Sequence, residues 1–136
     1  MITQDSVDII FSYRDFGFLK NWLSKVIDAE KFSCGDINII FTSDNYLLEL
    51  NRKFLQHDYY TDVLSFDYSH DNLINGDIFI SVDRVKENSG VYNVDYYTEL
   101  DRVILHGVLH LIGYTDSRPD EKLIMQQKEN AYLQIR

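Results

Sequence analysis

The residues with the clearest capacity for chemistry are His106, His110 and Asp116, in the order His-x3-His-x5-Asp. Two histidines four apart on a helix lie one turn above each other on the same face, and neutral imidazole is a frequent ligand of divalent metals. Gly113 stands between the second histidine and Asp116. Glycine accepts the left-handed conformation in which helices stop, so the chain can turn back there and bring a carboxylate to the imidazoles. Three protein ligands with a fourth position open to water form a catalytic zinc site. An aspartate ligand adds negative charge, which makes bound water less acidic than in an all-histidine site and lets manganese compete better. One divalent ion, Zn2+ in first place, is the expected cofactor. Two other readings stay open on these residues alone: a pair of core histidines hydrogen-bonded to backbone, Asp62 or Asp77, and an Asp116 that merely caps a helix or a turn.

The spacing resembles the extended zinc motif of metzincin proteases, H-E-x-x-H-x-x-G-x-x-H, with aspartate as the last ligand. The residue after the first histidine decides against peptide hydrolysis. In the protease motif it is the glutamate base, and here it is Gly107, which has no side chain to take a proton. Elsewhere, His57 and His70 sit in polar surroundings and read as solvated. Asp120 and Glu121 read as first-turn residues of a helix, and Cys34 as inert.

The elements that must hold this constellation follow from periodicity. From Val103 to Ile112 the chain is apolar or glycine apart from the two histidines, so Tyr96–Ile112 reads as a long buried helix ended by Gly113. Ahead of it, Val7–Ser12 reads as a first strand, Phe16 to about Glu30 as a helix, and Ile37–Phe41 as a buried strand. Thr42-Ser43-Asp44 supplies caps for a helix with the stripe Leu47, Leu50 and Phe54, and the polar Asn51 lies inside that stripe. Asp62–Tyr68 and Asp77–Ser81 read as an antiparallel hairpin across the loop Ser69–Gly76; Val82–Glu87 follows as a short helix and Asn88–Asn93 as a loop. Asp120–Leu133 reads as a last helix with Leu123, Ile124, Gln127, Ala131 and Tyr132 inward. The order β-α-β-α-β-β-α-α-α predicts an α+β (mixed α/β) fold, a small four-stranded mixed sheet with helices packed on it, in one domain over residues 1–136.

Length and charge bound the rest. The chain has 136 residues, 13 basic against 22 acidic, for a net charge of −9, which opposes non-specific adhesion to nucleic acid or anionic membranes. One cysteine excludes an internal disulfide, and no apolar run is long enough for a membrane span. A cytoplasmic location is expected.

The chain resembles the YbeY endoribonucleases, ribosomal-RNA maturation factors that carry one zinc. His106-Gly107-Val108-Leu109-His110-Leu111-Ile112-Gly113-Tyr114 is similar to the family's H-G-x-L-H-L-x-G-Y signature, and Thr61-Asp62-Val63-Leu64-Ser65-Phe66 to its T-D-V-L-S-F block. Asn51, Phe54 and Asp58 fit the preceding segment, and Gly76-Asp77-Ile78 the G-D-I strand entry. The resemblance implies a metal helix against a central sheet and metal-dependent, single-strand-specific cleavage of RNA in 16S rRNA 3′-end maturation and ribosome quality control. It also implies the small ribosomal subunit or its assembly factors as partners. A non-catalytic, metal-stabilised assembly factor and a metalloprotease-like hydrolase are the rival classes.

Two positions depart from the family pattern. Thr115-Asp116 stands where most members have Asp-His, and Leu55 where many have an arginine suited to phosphate. On this reading Arg52 and Lys53 form a local basic strip that draws RNA in, Tyr59 and Tyr60 either stack on bases or pack a turn, and Asn51 and Asp62 shape the site.

Overall fold

The computed structural model describes Met1–Arg136. Four strands, β1 (Ile2–Val7), β2 (Ser33–Thr42), β3 (Val63–Asp67) and β4 (Leu73–Ser81), form one mixed sheet in the order β1-β2-β4-β3. β1, β2 and β4 run parallel, and β3 closes the edge antiparallel to β4. Five helices complete the chain: α1 (Phe16–Ala29), α2 (Asp44–Leu55), α3 (Val82–Tyr92), α4 (Tyr96–Ile112) and α5 (Pro119–Leu133). The expected α+β class and element order hold, as do the bounds of α1 and α4 and the antiparallel β3–β4 hairpin. No helix is long and apolar enough to cross a membrane.

Register explains how the sheet holds α4. Ile39 pairs with Ile78 and Phe41 with Ile80, while Ser65 and Val63 of β3 oppose the same two isoleucines, so these residues share one face. α1 and α4 cover that face, burying Leu19, Trp22, Leu23, Val26 and Ile27 from one and Leu100, Ile104, Leu105, Val108 and Leu109 from the other. At about 25 cal/mol per Å² of apolar surface, burying each such side chain stabilises the fold by roughly 1.5–3 kcal/mol.

Several expected boundaries move, each for a local reason. The first strand runs Ile2–Val7 rather than Val7–Ser12, because Asp8 turns the chain at φ 68°. Ile9 and Phe11 then pack against the core from a loop, Phe11 with its ring centroid 4.6 Å from that of Phe41. β2 and β4 begin earlier than Ile37 and Asp77, since Ser33 and Cys34 pair with Leu73 and Ile74 before an irregularity in the ladder. Asn88–Asn93 is not a loop: α3 continues to Tyr92 and stops where Asn93 is left-handed. In α2, Leu47, Leu48 and Asn51 are the buried residues, while Phe54 is 56% exposed and meets Phe66 edge-on at 5.9 Å.

α5 departs most. Leu123, Ile124, Gln127 and Ala131 are all exposed; the buried residues are Met125 and Glu129, and of the expected inward set Tyr132 alone is partly buried against the core. Polar partners set this rotation. Arg102 Nη1 donates to Glu129 Oε1 at 2.9 Å, and Lys128 pairs with Glu30 at 3.0 Å, so the helix turns its charged side to its neighbours.

Candidate metal centre

α4 is capped by Asp95, whose carboxylate accepts from the Tyr97 and Thr98 N–H groups, and ends at Gly113 with φ 124°. The Gly113 and Tyr114 N–H groups both return to the Leu109 carbonyl, at 3.1 and 3.0 Å, which sends the chain back past the helix end. The turn is fixed on both sides. Tyr114 donates its hydroxyl to Glu30 at 2.5 Å, and Thr115 donates to Glu121 at 2.5 Å. Asp116 is thereby brought back over α4, with Oδ2 3.2 Å from His106 Nε2 and 3.6 Å from His110 Nε2. The two Nε2 atoms are 2.9 Å apart.

The outer sides of both rings define what those three atoms are. His106 Nδ1 lies 2.6 Å from Glu129 Oε2, and His110 Nδ1 lies 2.9 Å from the Tyr114 carbonyl oxygen. A carboxylate and a carbonyl can only accept, so each Nδ1 carries the hydrogen and each neutral ring turns a bare lone pair inward. Two imidazole lone pairs and a carboxylate oxygen then converge with no donor between them. A cation satisfies all three at once, and without one only a proton can. The pKa directions describe that proton's place: burial pulls both imidazoles down, but the Glu129 hydrogen bond and the Glu129 and Asp116 charges hold His106 above its ordinary value. His110, lowered by burial and then by the charge on His106, stays neutral. These three residues are the group whose donor atoms lie close enough together to hold a metal ion.

Gly107 serves the site by what it lacks. A Cβ there would stand 2.7 Å from Ile78 Cγ2 and 3.2 Å from Ser65 Oγ, so only glycine lets α4 lie this close to the sheet. Ser65 Oγ donates to the Gly107 carbonyl at 3.1 Å. The position that holds the base in metzincins is therefore filled by the sheet.

In front of the three donors lies an open cleft of about 430 Å³. Asn51, Leu55, His57, Tyr59 and Asp62 line it with His106, His110 and Asp116. Asn51 is 1% exposed; its Nδ2 donates to the Tyr59 carbonyl at 2.8 Å, and its Oδ1 has no partner.

A sequence model described as endoribonuclease YbeY matches residues 6–135. This chain belongs to the YbeY family. It is 48% identical over 128 residues to the endoribonuclease YbeY of Flavobacterium psychrophilum, spanning 94% of this chain and 91% of that one. With the Cytophaga hutchinsonii protein of the same description it is 46% identical over 130 residues, 95% of this chain and 91% of that one. A Thermotoga maritima protein solved in solution has the same fold, with a TM-score of 0.71 at 28% identity over 98% of this chain and 87% of that one.

Within this YbeY chain, the residues anticipated from sequence divide into two sets. Asn51 and Asp62 line the metal cleft, whereas Arg52 and Lys53 do not. Arg52 is tied to Glu49 at 2.8 Å and Asp58 at 2.5 Å, and Lys53 lies 5.4 Å from the Phe54 ring centroid. Asp77 accepts from Asn38 instead of from a histidine. His57 is exposed, as expected, but it lines the cleft, its Nδ1 2.9 Å from the Tyr59 hydroxyl and its ring stacked on Tyr59. The residue missed altogether is Glu129. An acid among the many charges of α5 carries no sequence signal of its own, and only its distance to His106 shows the role.

Proposed function

We propose that this chain is a metal-dependent endoribonuclease of single-stranded RNA, with all 136 residues forming one hydrolase domain. Its proposed setting is cytoplasmic maturation of the small-subunit rRNA 3′ end, with pre-ribosomal particles as partners. The observation that carries the reading is the convergence of His106 Nε2, His110 Nε2 and Asp116 Oδ2 in an open cleft. Three donors facing a cleft fit a catalytic ion with room for substrate, whereas a purely structural zinc calls for four protein ligands. The family's endoribonuclease description supports RNA as the substrate, and the sheet against Gly107 speaks against a peptidase.

Zinc is the ion that two imidazoles and a carboxylate suit best, and when bound it supplies a Lewis acid for phosphodiester oxygen and an acidified water. The chain's own residues do the rest. Glu129 and the Tyr114 carbonyl fix both imidazole tautomers and aim them inward. Asn51 holds the Tyr59 carbonyl through its Nδ2 and so fixes the cleft wall that carries His57 and Tyr59. His57, held by Tyr59, is the cleft imidazole outside the ligand set and so is free to take or give a proton. With Leu55 in place of an arginine, the cleft wall provides no guanidinium for phosphate, so in a protein of net charge −9 the positive charge facing the RNA backbone would be that of a cation held by His106, His110 and Asp116.

The reading is tested with end-labelled single-stranded RNA and a duplex control. Zinc-loaded protein cuts the single strand at internal positions, and chelated protein, His106→Ala and His110→Ala do not. Cleavage that persists without metal, or in the metal-free His106→Ala protein, refutes it.

A further inference from the structure

Behind the metal cleft lies a second cavity of about 460 Å³, with Asp62, Val63 and His106 in the shared wall. Tyr92, Glu99, Arg102, Gln126 and Asn130 line its far side. Glu99 is 4% exposed and makes neither a hydrogen bond nor an ion pair through its side chain. Its oxygens are not sealed in the interior, so they present unspent acceptors to the cavity. Burial and then the charge of Asp62 push its pKa up, and Asp62, raised by burial, has one long side-chain contact, to Asn88 at 3.5 Å. The cation nearest to hand is already used: Arg102 donates to Glu129 Oε1 and to Asn130 Oδ1, each at 2.9 Å. Its hold on Asn130 Oδ1 leaves the Asn130 NH2 as a donor, and Gln126 is exposed beside it. At the rim, Tyr92 is 63% exposed. A second metal ion does not fit this wall, because the oxygens of Asp62, Glu99 and Glu129 do not converge as the His106, His110 and Asp116 donors do.

We propose that this cavity is a guanine subsite, resting on the RNA reading above, in which Glu99 accepts from the Watson–Crick edge of an unstacked base. Guanine alone among the four RNA bases sets two adjacent donors, N1–H and the N2 amino group, beside one acceptor, O6. A carboxylate takes the donor pair, and the amides of Gln126 and Asn130 face the acceptor. Adenine and cytosine put a ring acceptor next to their single amino group, which a carboxylate repels, and uracil flanks its one N–H with two acceptors. Single-stranded RNA is read by splaying bases out, stacking them on aromatic side chains and bonding their Watson–Crick edges, and Tyr92 supplies the stacking face. Because the cavity shares His106 with the metal cleft, the guanine sits at a fixed offset from the cut phosphate.

The test is a titration of the zinc-loaded protein with guanosine, inosine, adenosine and cytidine 5′-monophosphates, followed by amide chemical shifts. Guanosine monophosphate is expected to bind about tenfold tighter than inosine monophosphate, which lacks only the N2 amino group, with shifts at Tyr92, Glu99 and Gln126. Glu99→Gln erases the difference and leaves zinc occupancy intact. Gln126→Ala, at an exposed position, weakens guanosine monophosphate without touching the core. Affinities within about twofold of one another across the four nucleotides, or a preference that survives Glu99→Gln, overturn the subsite. Metal-dependent RNA cleavage is scored separately: its absence removes the nuclease reading, while the mononucleotide series alone decides whether the cavity holds guanine.

Discussion

Replacing Glu129 by glutamine tests whether a residue that touches no metal sets the metal's affinity. In the structure its Oε2 takes the His106 Nδ1–H at 2.6 Å, its Oε1 takes Arg102 at 2.9 Å, and the residue is 5% exposed. A hydrogen bond to a charged group contributes about 1.5–3 kcal/mol. Glutamine keeps an acceptor of nearly the same shape but loses the charge, so roughly half to two-thirds of that is forfeited, or about 1.5 kcal/mol. That corresponds to an approximately tenfold weaker zinc affinity, at the lower end of the range for partners behind a ligating histidine. Competition against a chromogenic chelator at fixed pH measures it. Glu87→Gln, which removes an exposed acid paired with Arg84, is the control and leaves the affinity unchanged. A Glu129→Gln protein that binds zinc within about twofold of the parent, with an unaltered melting temperature, refutes the argument that this carboxylate orients and charges His106.

The pH dependences of the metal-free and metal-loaded proteins run in opposite directions. His106 is held above its ordinary value of about 6.5, so its contribution to metal-free stability is fully present below that value and is lost as pH rises through the raised one, while zinc affinity climbs over the same window as the competing proton leaves; calorimetry and chelator competition across that range check both. His57→Ala lowers RNA cleavage about a hundredfold with zinc occupancy unchanged, read in single-turnover assays. Leu55→Arg, at a 42% exposed position on the cleft, leaves stability within about 0.5 kcal/mol, tightens RNA binding and steepens its salt dependence by about one unit of slope; an unchanged slope in salt-dependent anisotropy counts against contact with phosphate.

How much is legible from sequence differs between helices for a physical reason. α4 can be bounded because Val103–Ile112 leaves an apolar record broken only by its histidines and Gly107, with a capping aspartate before the helix and a helix-ending glycine after it, although Glu99 and Asp101 are buried along with it. The histidine pair and Asp116 are legible with it, since their separation is set by one helix and one turn. α5 is misread because its inward face is chosen by ion pairs: Glu129 and Lys128 face Arg102, His106 and Glu30, while Leu123 and Ile124 face water. A hydrophobic pattern cannot report a helix docked by charge. For the same reason Glu99 and Glu129 are invisible as functional residues, and His57 reads as surface because exposure does not tell a cleft wall from open solvent. β1 is displaced by Asp8, where a single left-handed residue ends a run of strand-forming side chains.

The polar docking of α5 makes that helix a gauge of the metal. Glu129 on α5 leans on His106, and the loop that returns Asp116 is held to α5 through Glu121 and, by way of Glu30, through Lys128 and Tyr132. Any ion that fixes His106 and Asp116 thus stiffens a helix with only one large apolar side chain, Met125, fully packed beneath it. By mass action, stripping zinc withdraws that support from Pro119–Leu133 first, so hydrogen exchange there quickens on chelation while α4, buried against the sheet, stays protected. The helix whose packing a hydrophobic pattern misreads would then be the first part of the molecule to register an empty site.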